Sequence, residues 1–319
     1  MIRIADGPID CRPLRPLALR AAALARELDH PLYDCLYLAL AEAEAAPLVT
    51  ADRRLVAAVR GTALAGKVSL LGQIAGRDER TRPAADLLAR VPLAAPARIA
   101  DLGCGPGNST ALLVQRWPAA EVLGIDSSAA MLAKAEASGL EAGWRKCDLA
   151  AWTPDAPYDL LFSNAALHWL PDHARLLPRL LGHLRPGGVL AVQMPRNFEA
   201  PSHALLREVA RAGPWAGRLA PCLERAPVAA PEWYRDLLAP LTEALDIWQT
   251  EYLHVLEGED PVLSWTRSTA LRPLTALLPP QEQARFEADY AGRLRTAYPR
   301  RPDGRTLFPF RRLFVVATA

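Results

Sequence analysis

The ten residues from 101 to 110, DLGCGPGNST, constrain the fold of this chain more than any other stretch. They follow an apolar run, ARIADLG, that is typical of a buried strand, and they lead into STALLVQRW, which has helical spacing. Gly103, Gly105 and Gly107 stand at alternate positions in the turn. Because glycine permits positive φ and close approach, such a turn brings several backbone N–H groups toward a ligand. The motif predicts a small-molecule site at the carboxyl end of a strand.

From residue 97 the chain alternates short aliphatic runs with longer helical stretches. EVLGID, WRKCDL, YDLLFSN and GGVLAVQMP continue the strands, and SSAAMLAKAEAS predicts a helix whose N-cap is Ser127 or Ser128. Two late runs, ALDIWQTEYLHVL and TLFPFRRLFVVATA, predict an antiparallel pair at one sheet edge. The pattern predicts an α/β fold with a doubly wound, Rossmann-like sheet. Helices over residues of about 200–243 and 258–300 are expected to cover the carboxyl ends of its strands, where ligands bind.

Residues 1–76 are a different piece. Two helical stretches, LALRAAALARELDH and PLYDCLYLALAEAEAA, are followed by a short strand pattern, APLVTAD. We place the boundary around Gly76, so that the second domain covers residues 77–319. The chain has 51% hydrophobic and 23% charged residues, which is a globular composition, and the whole chain is expected to fold.

Composition excludes several classes of protein. A net charge of +2 gives no electrostatic footprint for nucleic acid. The five cysteines never form a C-x-x-C pair, which argues against a zinc site and a disulfide framework. No run reaches the roughly 18 apolar residues of a membrane span, and the first residues lack a secretory signal. A cytoplasmic protein with no membrane or nucleic-acid partner is expected.

The glycine motif departs from the dinucleotide fingerprint, which places its third small residue at position 108, where this chain has Asn108. A tight turn with no ligand is the plain alternative for a glycine cluster alone. However, Asp126 ends the second strand, where a carboxylate accepts hydrogen bonds from ribose hydroxyls. Asp148 ends the third strand, where a carboxylate can accept a hydrogen bond from the exocyclic amine of adenine. The spacing therefore favours a nucleoside-containing cofactor over an empty turn.

Together these residues resemble the class I S-adenosylmethionine-dependent methyltransferases from Asp101 to Met194. The resemblance implies S-adenosyl-L-methionine as the cofactor, with the glycine loop facing its methionine part. It also implies that Asn164 and Ala165, after the fourth strand, close the pocket beneath the sulfonium. The implied cofactor-binding residues are Asp101, Gly103, Gly105, Gly107, Asn108, Asp126, Ser127, Asp148, Leu149, Asn164 and Ala165.

Further motifs narrow the family. ERTRPAADLLARVPL, GIDSSAAMLA, NAALHWLPDH, GGVLAVQMP, ALRPL and FPFRRLFVVA resemble the trans-aconitate 2-methyltransferases over residues 79–319. The resemblance implies methyl transfer to one carboxylate of trans-aconitate, which gives a monomethyl ester. A carboxylate with a pKa near roughly 4 is already ionised at neutral pH, so the reaction needs no general base and no metal.

A trianionic acceptor needs cations, and arginine with its bidentate fork suits carboxylates best. Arg272 in ALRPL and Arg311 in FPFRRLF are favoured because they fall in family-like motifs, and Arg196 and Arg312 are further candidates. Solvated surface is the alternative for each arginine.

Three other residues are candidates for shaping the acceptor pocket. His168 and Trp169 follow the fourth strand, although a packed helix start explains them equally well. Tyr252 can orient a substrate carboxylate, or it can belong, with His254, to a half-buried sheet face. None of the candidate residues is assigned a certain catalytic role.

The amino-terminal stretch HPLYDCLYLALAEAEAAPLVTADRRL resembles the carboxyl-terminal part of a PIN-domain ribonuclease of the VapC-like toxin type. Asp34 and Asp52 fall where that family places its last acidic metal ligands. The family's other acidic ligands have no counterpart before residue 30, and such a nuclease needs several carboxylates around Mg²⁺. We therefore expect no metal site and no nuclease activity in residues 1–76. This piece is expected to be a remnant of a gene fusion or a folded cap.

Three alternatives remain at this level. The acceptor is another small carboxylate, such as a malonyl thioester; the chain is an RNA-cleaving or RNA-binding toxin-like protein; or it binds the cofactor without catalysis. The last arises because the family usually has an aromatic segment ahead of its E-R-T-R-P-A stretch, where this chain has LLGQIAGRDERTRPA.

Overall fold

The structure is a computed structural model of the 319-residue chain. It describes residues 13–44, 46, 48–50, 52–59, 62, 64, 67–70, 81–223, 228–267 and 269–319. The chain divides into two compact units, Met1–Glu79 and Arg80–Ala319. The predicted boundary at Gly76, and most of the segment that replaces the family's aromatic stretch, lie outside the described residues. Among the helices of the described part, none has the length and apolar character needed to cross a membrane.

The amino-terminal unit is a small α/β assembly. Its described elements are α1 (Leu14–Glu27), α2 (Leu32–Ala43), β1 (Leu48–Thr50), α3 (Arg53–Ala58) and β2 (Val68–Leu70). The two strands pair in parallel. Leu24, Leu38 and Leu55 are buried between the helices. Arg20 on α1 also makes a bidentate pair with Glu42 on α2, with N–O distances of 2.7 and 2.8 Å. The packed leucines and this pair hold α1 against α2.

A seven-stranded sheet forms the centre of the larger unit. Its strands are β3 (Arg98–Leu102), β4 (Glu121–Asp126), β5 (Gly143–Lys146), β6 (Tyr158–Asn164), β7 (Leu184–Pro195), β8 (Ala244–Leu256) and β9 (Thr306–Thr318). The spatial order is β5-β4-β3-β6-β7-β9-β8. The strands from β5 to β7 are parallel, and β9 is antiparallel to both β7 and β8. The predicted Rossmann-like fold and the antiparallel pair at its edge are confirmed.

Helices pack on both faces of this sheet and form a cover at one end. They are α4 (Arg82–Ala89), α5 (Asn108–Arg116), α6 (Ala129–Glu136), α7 (His173–Leu181), α8 (Pro201–Ala212), α9 (Ala216–Leu223), α10 (Pro231–Leu238), α11 (Pro261–Arg267), α12 (Arg272–Thr275) and α13 (Pro280–Ala297). Short 3₁₀ turns span Leu167–Trp169 and Ala239–Leu241. Since helices cover both faces at the centre of the sheet, β6 is buried along nearly its whole length rather than at alternate residues.

The cover has a hydrophobic core of its own. Leu206 on α8 and Phe286 on α13 are buried together with Trp215 and with Phe308 at the start of β9. Trp215 and Phe286 meet edge to face, with ring centroids 5.1 Å apart. The cover is therefore packed onto the sheet through β9 rather than joined to it by loops alone.

Local capping agrees with the sequence. Ser128 is the N-cap of α6, and its hydroxyl accepts a hydrogen bond from the Met131 N–H at 3.4 Å. Asp172 caps α7 from a left-handed conformation, with its carboxylate accepting from the Arg175 N–H at 3.3 Å. Ser128, one of the two predicted caps, is confirmed.

A buried carboxylate ties the first strand of the large sheet to its neighbour. Asp159 on β6 is 3% exposed, and its Oδ2 accepts from the N–H groups of Ala97 and Arg98 at 2.6 and 2.7 Å. Its other oxygen pairs with Arg185 at the start of β7. One side chain therefore holds the amino-terminal ends of three adjacent strands.

Replacing Asp159 by alanine is expected to lower the free energy of unfolding by about 2 to 4 kcal/mol, because two buried N–H groups and a guanidinium lose their acceptor. Urea unfolding followed by circular dichroism measures this change. Asp155→Ala is the matched control: that carboxylate is exposed and pairs with Arg98 at 3.3 Å, so its loss should have little effect. Equal effects of the two substitutions would contradict the assignment.

Candidate active site

The turn after β3 requires glycine at three positions. Gly103, Gly105 and Gly107 have φ angles of 75°, 55° and 91°, in the left-handed region that side chains disfavour. A Cβ atom on Gly103 would lie 2.1 Å from the Cβ of Ala166. The Gly103 N–H also donates to the Ile125 carbonyl at the end of β4, at 2.8 Å. The loop is thus held between the ends of β4 and β6, with no room for a side chain at Gly103.

Asp101 lies beneath this loop and is fully buried. Its Oδ2 accepts from the hydroxyls of Ser109 and Thr110, both at 2.7 Å, in the first turn of α5. Its Oδ1 has no hydrogen-bond partner within the described part of the chain. Burial raises the pKa of Asp101 to about 6, and the nearby charge of Asp126 acts in the same direction. The carboxyl group therefore joins the end of β3 to the helix after the loop.

Asp126 stands at the end of β4, beside the loop. Its Oδ2 accepts from the Gly105 N–H at 2.9 Å, and its Oδ1 accepts from the Ser128 N–H at 2.8 Å, across Ser127. A carboxylate oxygen has two lone pairs, so each oxygen can still accept one hydrogen bond. The carboxylate is preorganised by the backbone while keeping half of its acceptor capacity.

The segment after β5 also ends in a carboxylate. Asp148 accepts from the Ala150 N–H at 2.9 Å, which closes a short turn. The Leu149 carbonyl accepts from the Arg179 guanidinium at 2.7 Å. This turn lies next in the sheet to the end of β4, because β5 pairs with β4.

A cavity of about 710 Å³ opens at the carboxyl ends of β3, β6 and β7. Nine predicted residues line it: Gly103, Gly105, Asn108, Asn164, Ala165, His168, Trp169, Arg196 and Arg312. The other predicted cofactor residues are outside its lining: Asp101, Gly107, Asp126, Ser127, Asp148 and Leu149. The structure thus brings the glycine loop and the end of β6 together in one cavity, with the β4 and β5 ends beside it.

Two features of the β6 end stand out. Ala165 is in the left-handed conformation with φ of 55°, and its N–H donates to the Gln193 carbonyl at 2.9 Å. The Oδ1 of Asn164 is buried and has no hydrogen-bond partner among the residues that the structure describes. Asn164 therefore presents an unused acceptor at the cavity. We call the part lined by Gly103, Gly105, Asn108 and Asn164 the glycine-loop half.

The other part of the cavity lies under the cover. We call it the cover half; its walls include Phe198, His203, Arg207, Trp265 and Phe310. Three arginines line the whole cavity, Arg196, Arg207 and Arg312, and the described lining residues include no Asp or Glu. The cavity is therefore electropositive.

Arg312 on β9 is almost completely buried, at 5% exposure. Its guanidinium lies over the rings of Phe310 and Tyr252, 4.7 and 5.9 Å from their centroids. It donates to the Gln193 side-chain oxygen at 3.4 Å, and Gln193 is opposite Asn164 in the sheet. The Arg312 charge is therefore at the level of the strand ends that form the glycine-loop half.

The structure does not bring the favoured acceptor candidates Arg272 and Arg311, or Tyr252, to this cavity. The Tyr252 hydroxyl donates to Asp86 at 2.6 Å, and burial raises its pKa. Arg311 pairs with Glu251 at 3.5 Å and lines a neighbouring cavity of about 930 Å³. Arg272 is exposed at the start of α12. Because successive residues of a strand face opposite sides, Arg312 and not Arg311 reaches the cavity.

Two cavity residues escaped the sequence interpretation. His203 and Arg207 are four residues apart on α8, in APSHALLREVARAG, so they share one helix face. His203 Nδ1 is 3.1 Å from the Ser202 hydroxyl, and burial together with the Arg207 charge lowers the pKa of His203 to about 4. The i, i+4 spacing just after the fifth strand was the available signal.

The path of the chain out of β7 is fixed by one side chain. Asn197 donates from its Nδ2 to the Arg311 carbonyl at 3.0 Å and accepts the Arg311 N–H on its Oδ1 at 2.8 Å. The amide thus reproduces the pairing of a strand residue one step beyond the end of β7. Arg196 and Phe198, on either side of it, are held at the cavity wall.

In the amino-terminal unit, Asp34 and Asp52 come together around a histidine. The His30 side chain is 5% exposed, with its Nε2 3.4 Å from Asp34 Oδ2 and 3.2 Å from Asp52 Oδ2. Asp52 also accepts from the Arg54 N–H at 2.7 Å, which with His30 lowers its pKa. In the described part of the chain, these three side chains are the group with metal-ligand spacing.

The raised pKa of Asp101 predicts a specific pH dependence of stability. Burial shifts this pKa from 3.8 to about 6, so the folded state favours the protonated form, and the contribution is full below about pH 4 and lost as the pH rises through 6. The stability of the wild type relative to Asp101→Asn should fall by about 2 kcal/mol between pH 4 and pH 7. Urea unfolding of both proteins at the two pH values measures it. A difference that is independent of pH would contradict the shift.

Comparison with known proteins is consistent with this geometry. A family model described as a methyltransferase domain matches residues 99–188. The crystal structure of the YcgJ protein from Bacillus subtilis superposes with a TM-score of 0.51 at 12% identity, covering 74% of this chain and 97% of that chain. That likeness concerns the fold alone.

Sequence relatives are much more similar. The trans-aconitate 2-methyltransferase of Azoarcus sp. (strain BH72) is 56% identical over 240 residues, which are 75% of this chain and 94% of that protein. That of Methylobacterium nodulans is 54% identical over 241 residues, 75% of this chain and 93% of that protein. With such identity over three quarters of its length, the chain belongs to the trans-aconitate 2-methyltransferase family.

Proposed function

We propose that the Arg80–Ala319 unit transfers a methyl group from S-adenosyl-L-methionine to one carboxylate of trans-aconitate, which gives a monomethyl ester. The observation that carries the proposal is a single cavity that joins a glycine loop to three arginines, without an acidic side chain among its described lining residues. The names of relatives at 56% and 54% identity support the same acceptor. Localisation in the cytoplasm stays a prediction from the sequence.

The residues at the strand ends fit this cofactor. The loop at Gly103 and Gly105 offers backbone that approaches a ligand closely, and Asp126 keeps free lone pairs for ribose hydroxyls. Asn164 Oδ1 is a buried acceptor without a protein partner among the described residues. Asp148 and Leu149 stand beside Asp126 for the adenine. S-adenosyl-L-methionine, when bound there, supplies a methyl group on a positively charged sulfur.

The chemistry asks for positioning rather than proton transfer. A carboxylate oxygen of the acceptor forms the new C–O bond while the C–S bond breaks, and no proton moves because the acceptor is already ionised. The chain must hold that oxygen in line and exclude water. His168 and Trp169, whose ring centroids are 5.0 Å apart, line the same cavity and would shape the approach.

The arginines would hold the acceptor. Arg312 is buried and stacked between aromatic rings, so its charge is fixed in place and poorly solvated. Arg196 is oriented by its bonds to the Ala229 carbonyl and Gln249, at 3.0 and 3.1 Å. Fixed cations in a dry site attract carboxylates more strongly than flexible surface cations do.

We propose that the amino-terminal unit is a remnant of a PIN-type nuclease without nuclease activity. The described acids Asp34 and Asp52 support this, because both lie within 3.4 Å of His30 Nε2 and Asp52 also accepts a backbone N–H. A nuclease of that type needs more carboxylates than two around Mg²⁺.

The full-length protein is expected to transfer labelled methyl from S-adenosyl-L-methionine to trans-aconitate. Asp126→Ala should weaken cofactor binding by about 1 to 3 kcal/mol, roughly 5- to 150-fold in Kd, through loss of a hydrogen-bonded carboxylate. Isothermal titration calorimetry measures the binding, and recovery of the labelled ester measures the reaction.

Asp155→Ala serves as the control here, since it removes the same charge from an exposed surface position. Unchanged cofactor binding in Asp126→Ala would remove Asp126 from the site. Transfer to a malonyl thioester in preference to trans-aconitate would assign the same cavity to another carboxylate.

The full-length protein is expected to leave RNA intact in the presence of Mg²⁺. A fluorescent single-stranded RNA, followed by gel electrophoresis over several hours, reports cleavage. Cleavage that Asp34→Asn abolishes, while Asp29→Asn does not, would show that the amino-terminal unit is an active nuclease.

A further inference from the structure

Arg207 differs from the other arginines of the cover in its partners. Four cover arginines pair with carboxylates at 2.8 to 3.3 Å: Arg218, Arg267, Arg293 and Arg295. Arg207 is half-buried on α8, and no carboxylate of the described residues lies within ion-pair distance of it. Glu199 and Glu208 are the acids that act on it from further away. Burial lowers the pKa of Arg207, which means that its charge is poorly solvated.

The guanidinium of Arg207 is nevertheless held in a fixed orientation. It donates from one terminal nitrogen to the Phe198 carbonyl at 2.6 Å. It also lies over the Phe198 ring, 3.7 Å from the centroid. An arginine carries five N–H donors, so one hydrogen bond leaves most of the fork available. Stacking of this kind preorganises the fork for bidentate binding of a carboxylate.

The surroundings of Arg207 favour an anion at this place. His203 shares its helix face and lines the same cavity; with its pKa lowered to about 4, it is neutral at neutral pH. The imidazole therefore adds no competing charge and no negative partner. Arg196 is already engaged by two acceptors. Among the described lining residues, Arg207 is the cation of the cover half whose fork is oriented and has no carboxylate of the described residues within ion-pair distance.

We propose that Arg207 binds one of the two acceptor carboxylates that are not methylated, and that it thereby selects polycarboxylates over monocarboxylates. This inference rests on the proposed function, because it concerns the acceptor bound in the same cavity. A carboxylate anchored at Arg207 in the cover half leaves another end of the acceptor directed toward the glycine-loop half. Arg207 is then a determinant of specificity that does not touch the reacting atoms.

Kinetic variants test this role. Arg207→Gln should raise the KM for trans-aconitate about 10- to 100-fold, the range for a lost charge-assisted hydrogen bond, while the Kd for S-adenosyl-L-methionine stays unchanged. Arg207→Lys keeps the charge without the fork and should give a smaller increase. Arg211→Gln is the matched control, because Arg211 is exposed one turn further along α8 and does not line the cavity.

Inhibitors that lack one carboxylate separate binding from a structural effect. Itaconate, glutaconate and mesaconate each lack a different carboxylate of trans-aconitate, and their Ki values can be measured with wild type and Arg207→Gln. For one of the three, the Ki should be the same in both proteins, because the carboxylate that Arg207 binds is absent. Equal weakening of all three would overturn the proposal and indicate a structural role.

The two proposals fail in different ways. A wild type that neither binds nor methylates trans-aconitate overturns the proposed function and the Arg207 assignment with it. A wild type that forms the ester, with an Arg207→Gln variant of unchanged KM, overturns the assignment alone.

Discussion

The contact between Gly103 and Ala166 is the constraint on which the rest of the site depends. The turn after β3 and the turn after β6 approach so closely that Gly103 has no space for a Cβ atom. Because β3 and β6 are neighbours in the sheet, this close approach fixes the position of both turns at the carboxyl ends of these strands. Gly105 then reaches the carboxylate of Asp126, and Asn164 points its amide into the same space. Because Gly103 has no side chain, the ends of β3, β4 and β6 can come together and place these groups side by side.

The parts of the fold that depend on local pattern could be predicted from the sequence. Strand runs, the Ser128 cap and the late antiparallel pair are local signals, and the glycine loop has a strict geometric requirement that few other residues meet. The acceptor side depends instead on tertiary placement. Of the adjacent Arg311 and Arg312, the register with Pro195 decides which one faces the cavity, and no feature of FPFRRLF reveals that register. Arg207 likewise cannot be identified from the sequence, because its place in the cavity depends on how α8 packs.

Charge distribution, rather than the number of charges, distinguishes this site. Arginines are abundant in this chain, and on the cover surface many are neutralised by neighbouring acids. The described residues that line the cavity include no Asp or Glu, and its guanidinium groups bond to carbonyls and side-chain amides and lie over aromatic rings. Such neutral partners orient a cation without cancelling its field. A polyanion in this cavity would therefore meet oriented guanidinium groups without a competing carboxylate among the described lining residues.

Asn197 copies a peptide group with its side chain, and this has a consequence for where the cover starts. Its two bonds to the backbone of Arg311 end the β7–β9 pairing firmly, so the chain leaves the sheet at a defined point. The helices α8 to α10 that follow therefore begin from a fixed point at the strand ends. Because Arg196 and Phe198 flank that point and line the cavity, the side chain that ends the strand pairing also sets where the cover half begins.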